Sequence, residues 1–239
     1  YNININMKVE DGQALYPHMH GDDCWYDYRP ERFDTGAREL YYWSMEASDL
    51  ERVSEDPWYS YLSGSDPEFP VRSLRDDLNY VRERVVKMRE DLSTPDTRMS
   101  DDPNGINPGM VDALIQLMLG GLPTGHLGHP LHCRLRYFDP ARNRAGIPED
   151  VAALVDAMSS NEVSVTLVNI DQVASRTVVV QGGAYGEHQI DQVLRNDEIT
   201  EVNGNSFTVH LDPGCGCRLT IKMNRYANRP TFVFPWDRR

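Results

Sequence analysis

Residues 163–183 read VSVTLVNIDQVASRTVVVQGG, two β-branched runs separated by Asp171 and Ser175 and closed by Gly182 and Gly183. That is the pattern of short strands bounded by turns. Outward from this stretch the pattern repeats. LHCRLRYF (131–138) alternates as a strand, and strand-like runs follow at 188–194, 198–202, 207–211, 218–223 and 231–234, each bounded by Gly, Pro, Asn or Asp. Asn203-Gly204 and Asp212-Pro213-Gly214 supply the positive or pre-set φ that tight turns require. Strands this closely spaced predict an antiparallel β-sandwich over 131–239, with 148–158 as a short capped helix within it.

The preceding part, 1–130, is aromatic and helical or irregular. Residues 2–9 alternate Asn with Ile and Met and read as a strand, whereas 11–36 carry His, Asp, Tyr, Gly and Pro without periodicity and read as a loop. A helix is predicted over 37–53, presenting Leu40, Trp43, Ala47 and Leu50. The clearest helix is 73–92, where Leu74, Leu78, Val81, Val85, Met88 and Leu92 form one apolar stripe behind Ser73 as cap. Arg82, Arg84, Lys87 and Arg89 lie amid acids on its solvated face. Residues 108–119 are apolar nearly all round and predict a buried helix, with Asn107 as cap and Gly120-Gly121 as stop. The fold class is therefore α+β: a helical and irregular N-terminal half, 1–130, followed by a C-terminal antiparallel sandwich, 131–239.

Composition narrows the function. The chain has 239 residues, 24 Lys+Arg against 37 Asp+Glu and a formal charge of −13. Binding to nucleic-acid phosphates or an anionic membrane surface needs Lys/Arg clusters, and none is evident. No apolar run approaches the roughly 20 residues of a membrane helix. Cys24, Cys133, Cys215 and Cys217 include no CxxC, and the CxC pair is too close for easy mutual bridging, so free thiols are expected. The first residue is Tyr1 and no signal sequence is legible. The chain reads as the closing part of a larger precursor, or one chain of a processed pair. Its partner would be the upstream portion or a second subunit, in an extracytoplasmic or secreted setting.

Chemistry concentrates near the start. His18 and His20, two apart on extended chain, project to one side and could grip one metal, with Asp22 as third ligand and Asp23 or Glu31 as base. The segment resembles the HxHxDH of metallo-β-lactamase-like hydrolases, with Asp23 where that family carries His. It also resembles the first half of a cupin motif, with Cys24 or Trp25 where Glu belongs. A divalent ion, zinc or iron, is the cofactor such a site would take. His126, His129, His132 and Cys133 form a second group whose spacing suits neither a strand nor a helix face. In 100–111, Asp102, Asn104 and Gly105 suit an EF-hand loop, but Val111 stands where the bidentate Glu is required. GGAYGEH (182–188) has no phosphate-cradling pattern, and GxSxG does not occur.

Trp25, Tyr26, Tyr28, Trp43 and Trp58 lie close in sequence among acids, the mixture of flat faces and carboxylates found in sugar sites. The phrases VSVTLVNIDQVASRTVVVQGG and DPGCGCRLTIKMNRYANRP resemble the sandwich modules that follow a helical toroid in multidomain carbohydrate-active enzymes. The resemblance implies a glycan-acting hydrolase or lyase whose 16–31 loop contributes to the cleft. His18 or His20 would act as acid/base or ligand, Asp22, Asp23 or Glu31 as carboxylate, and Trp25, Tyr26, Trp43 and Trp58 as substrate platforms. In a lyase, Tyr26 or Tyr28 would pair with a His for proton transfer. Two other readings stand beside it: a metal-dependent hydrolase or oxygenase centred on His18 and His20, and a non-catalytic assembly or binding subunit.

Overall fold

The structure, a computed structural model, describes residues 8–17, 25–27, 34–53, 55–94, 107–123 and 130–238. They fall into two compact units, Tyr1–Asp56 and Pro57–Arg239.

In the first unit, β1 (Lys8–Glu10), β2 (Gln13–Pro17) and β3 (Trp25–Asp27) form an antiparallel sheet in that order. The region expected to be loop thus contains two strands. The overlooked signal is Asp11-Gly12, both at positive φ (51° and 79°), a two-residue hairpin turn. The helix expected over 37–53 is two pieces, α1 (Asp34–Ser44) and α2 (Ala47–Leu50). The chain breaks at Met45, whose φ is 60°. There the Ser44 hydroxyl donates to Asp49 (2.6 Å) and accepts the Glu46 N–H (3.1 Å), competing with the helical ladder. Buried Tyr42 donates its phenol to the Asp56 carboxylate at 2.8 Å.

The second unit begins with α3 (Pro57–Leu62), α4 (Phe69–Glu90) and α5 (Asp112–Leu119). Helix α4 starts ahead of Ser73 because Pro70 suits a first helical turn. Helix α5 starts after Pro108, since the Asn107 side chain instead accepts the Gly109 N–H (2.9 Å) in a separate turn. Its Ala113 N–H is satisfied by Asp77 of α4 at 2.9 Å, and it ends at Gly120 in the left-handed region, as its sequence predicts.

The remaining chain is the expected sandwich. Its strands are β4 (Leu135–Asp139), β5 (Arg144–Ala145), β6 (Val151–Met158), β7 (Glu162–Asn169) and β8 (Arg176–Gly182). There follow β9 (Gln189–Arg195), β10 (Glu198–Gly204), β11 (Ser206–Leu211) and β12 (Gly216–Asn224). One sheet runs β10-β9-β12-β7-β6 and the other β11-β8-β4-β5, with antiparallel pairing throughout. Alternation sends Cys217, Leu219, Ile221 and Met223 of β12 inward beside Val163, Val165 and Leu167 of β7, and all are buried.

Two segments depart from the sequence expectation. The predicted helix at 148–158 is strand β6, because pairing with β7 and burial of Val151 and Val155 outweigh the helix preference of its alanines; a bulge follows Val155. The predicted strand at 231–234 joins no sheet among the described residues. Pro230 and Pro235 remove donors on either side, and Phe234 and Trp236 instead pack edge-on against Phe138. No described helix is long and apolar enough to cross a membrane.

Candidate functional site at the end of the sandwich

Three segments meet where β4 begins. The first is the run into β4, where Leu122 and His132 form a bridge and the Arg134 N–H donates to Leu119 O (3.0 Å). The second is the β8–β9 connection, 183–188. The third is the chain leaving β12. They are stitched by Gly183 N–H to Arg134 O (2.8 Å), Asn228 N–H to Glu187 O (3.1 Å), Thr231 N–H to Tyr185 O (2.8 Å) and Leu131 N–H to the Tyr185 hydroxyl (3.2 Å). Gly183 has φ +79°, and a Cβ there would collide with the Glu187 carboxylate. That carboxylate accepts the N–H groups of Ala184 (3.2 Å) and Tyr185 (2.7 Å), closing the connection into a tight turn.

At this junction stand His132, Arg134, His188 and Tyr226. Tyr226 bridges the two imidazoles. Its backbone N–H donates to His188 Nδ1 (3.2 Å), and its hydroxyl lies 3.1 Å from His132 Nε2. Its backbone is left-handed, φ 57°, which costs energy for an aromatic residue and is characteristic of positions held by their surroundings. His188 and Arg134 are each 1% exposed, whereas Tyr226 is 43% exposed and is the member solvent can reach. His188 Nε2 is buried and has no hydrogen-bond partner among the described residues.

Burial, then the Arg134 and Arg225 guanidiniums, push His132 down to about 4. Burial, then Arg134, His132 and Arg225, push His188 down to about 3. Both imidazoles are therefore neutral at neutral pH. Burial raises the Tyr226 phenol, while Arg225 and Arg134 work against it; the Arg225 guanidinium lies 5.5 Å from the ring centroid. Arg136 donates to Ala184 O (2.7 Å), and the Arg238 side chain donates to Gln181. A chain of charge −13 thus gathers Arg134, Arg136, Arg225 and Arg238 around one end of its sandwich. Adjacent Cys133 is wholly buried with its thiol pushed up, so it is not a thiolate.

Of the residues singled out from sequence, His18, His20, Asp22, Asp23, Tyr28 and Glu31 lie outside the described residues, as do Cys24, His126 and His129. Trp25 and Tyr26 are in strand β3. Trp43 is 49% exposed in the first unit. Trp58, in the second, is buried against Tyr61 and Phe69, with ring centroids 5.6 and 6.0 Å away. Among the described residues, no group of three or more His, Cys, Asp or Glu is placed to hold a metal ion. Cys133, Cys215 and Cys217 are free thiols. Sequence reasoning reached His132 but missed Arg134, His188, Arg225 and Tyr226. The available signal is GGAYGEH, which has no phosphate-cradling pattern and whose final His is the informative residue.

A family model described as Domain of unknown function (DUF8034) matches residues 53–115, the segment containing α3, α4 and the start of α5. No curated protein and no solved structure matches the chain.

Proposed function

We propose that this chain is part of a glycan-acting enzyme and that, of the hydrolase and lyase alternatives, it acts as a lyase on uronate-containing glycans. The observation that supports this is the Tyr226 hydroxyl 3.1 Å from His132 Nε2, beside Arg225. Glycoside hydrolysis ordinarily needs two carboxyl groups across the scissile bond. Among the described residues at this junction the nearby acid is Glu187, and its carboxylate is engaged by two backbone N–H groups. β-Elimination instead needs a proton-transfer pair and a cation to neutralise the substrate carboxylate.

Arg225 pairs with that carboxylate, acidifying the proton on the adjacent carbon. The Tyr226 oxygen takes this proton while its own passes to neutral His132 Nε2. The electron pair left behind forms a carbon–carbon double bond as the β C–O bond breaks. The departing oxygen takes a proton from Tyr226, which recovers one from His132, so the enzyme returns unchanged. His188, through Nδ1, holds the Tyr226 backbone and acts as a positioning residue. The test is ultraviolet absorbance of the unsaturated uronate when the protein is incubated with uronate-containing and neutral polysaccharides. Product from the former alone supports the reading; no product from any uronate polysaccharide overturns it.

A further inference from the structure

The apolar stripe of α4 is not core. Leu74, Leu78 and Met88 are exposed, as is Leu92 just past the helix end, Val81 and Val85 are half-buried, and Phe69 is the helix's buried residue. The stripe alternates intervals of three and four without drift. A 3-4 alternation of this kind is shared by core-facing helices and by coiled-coil seams, and the exposure of this stripe leaves it open to a partner helix.

The flanks differ from each other. One carries Asp77, Arg84 and Asp91, each already engaged: Asp77 accepts Ala113 N–H (2.9 Å), Arg84 lies over the Tyr80 ring (4.8 Å), and Asp91 accepts the Ser93 N–H (2.9 Å). The other carries Arg75, Arg82 and Arg89, one per heptad. All three are exposed, and none makes an ion pair among the described residues. A second copy does not fit this seam. Antiparallel pairing sets the arginine row against itself; parallel pairing sets Arg84 against Arg89 and matches Arg82 with an Asp77 already engaged by the Ala113 N–H.

We propose that α4 docks an amphipathic helix of another polypeptide, one with a heptad seam of Leu, Ile or Val flanked by Asp or Glu facing Arg75, Arg82 and Arg89. This goes beyond the lyase reading and does not rest on it.

The probes are two synthetic four-heptad peptides with identical Leu/Ile seams, one flanked by Glu and one by Lys, titrated against the whole chain by fluorescence anisotropy. The Glu peptide binds at least about tenfold tighter than the Lys peptide. The triple variant R75E/R82E/R89E reverses that order, and Leu78→Glu abolishes binding of the Glu peptide while helix content by circular dichroism is retained. Equal binding of the two peptides, binding of neither, or dimerisation of the chain lost on Leu78→Glu would each overturn the proposal.

Discussion

The ring of Tyr226 stands edge-on to the imidazole of His188, centroids 4.9 Å apart and planes 87° apart, while the Tyr226 N–H donates to His188 Nδ1 at 3.2 Å. Accepting at Nδ1 places the proton of neutral His188 on Nε2. The same contact holds Tyr226 in its left-handed backbone, and so holds its hydroxyl against His132.

Removing either partner therefore has a different cost. His188→Ala leaves the Tyr226 N–H without its acceptor and opens a cavity in a buried site, a loss of about 2–4 kcal/mol. Tyr226→Phe keeps the backbone bond and the ring packing and loses the hydroxyl's interactions with His132 and Arg225, about 1–2 kcal/mol. Urea denaturation midpoints of the two variants, with unchanged slopes, check this order.

Acid should weaken the fold in a defined window. His132 and His188 ordinarily titrate near 6.5 but are held at about 4 and about 3 in the folded chain. Below 6.5 the unfolded chain takes up protons that the folded chain refuses. The stability due to their neutrality is thus complete above 6.5 and is lost as pH falls toward 4 and then 3. Each group contributes up to about 1.4 kcal/mol per pH unit across its window. Denaturation between pH 7 and pH 4 should show this decline, with a shallower slope in His188→Ala.

Gly183→Ala is expected to cost more than about 2 kcal/mol. The left-handed φ penalises any side chain, and the added methyl meets the Glu187 carboxylate that closes the turn. A thermal midpoint within error of the parent chain would contradict this account of the connection.

At the opposite end of the sandwich, wholly buried Asn169 donates to Ala174 O (2.8 Å) and Asp212 O (3.2 Å) and accepts the Asp171 N–H (3.1 Å). Asn169→Ala strands buried backbone groups at two turns and should cost about 2–3 kcal/mol. Amide exchange at Asp171 should accelerate in the same variant.

The sandwich was legible because strands such as β7, β8 and β12 carry their own signal: β-branched residues, period-two burial and turn residues at the ends. Strand β6 was not, since VAALVDAM has the local chemistry of a helix and becomes a strand only by pairing with β7. The stripe of α4 was legible as a pattern, but periodicity does not say whether a stripe faces core or solvent. The candidate site was the least legible part. His132, His188 and Tyr226 are separated by long stretches of sequence and meet only because β4, the β8–β9 connection and the end of β12 converge. No local rule anticipates Tyr226 in a left-handed conformation.

The central claim is that the Tyr226 hydroxyl and His132 carry the proton in an elimination reaction. The most direct measurement is the rate of unsaturated-uronate formation by the protein and its Tyr226→Phe variant, with near-ultraviolet circular dichroism confirming that both are folded. The account predicts a fall of about 10²–10⁴-fold in kcat with little change in KM. A folded Tyr226→Phe protein that turns over uronate substrate at the parent rate would contradict it.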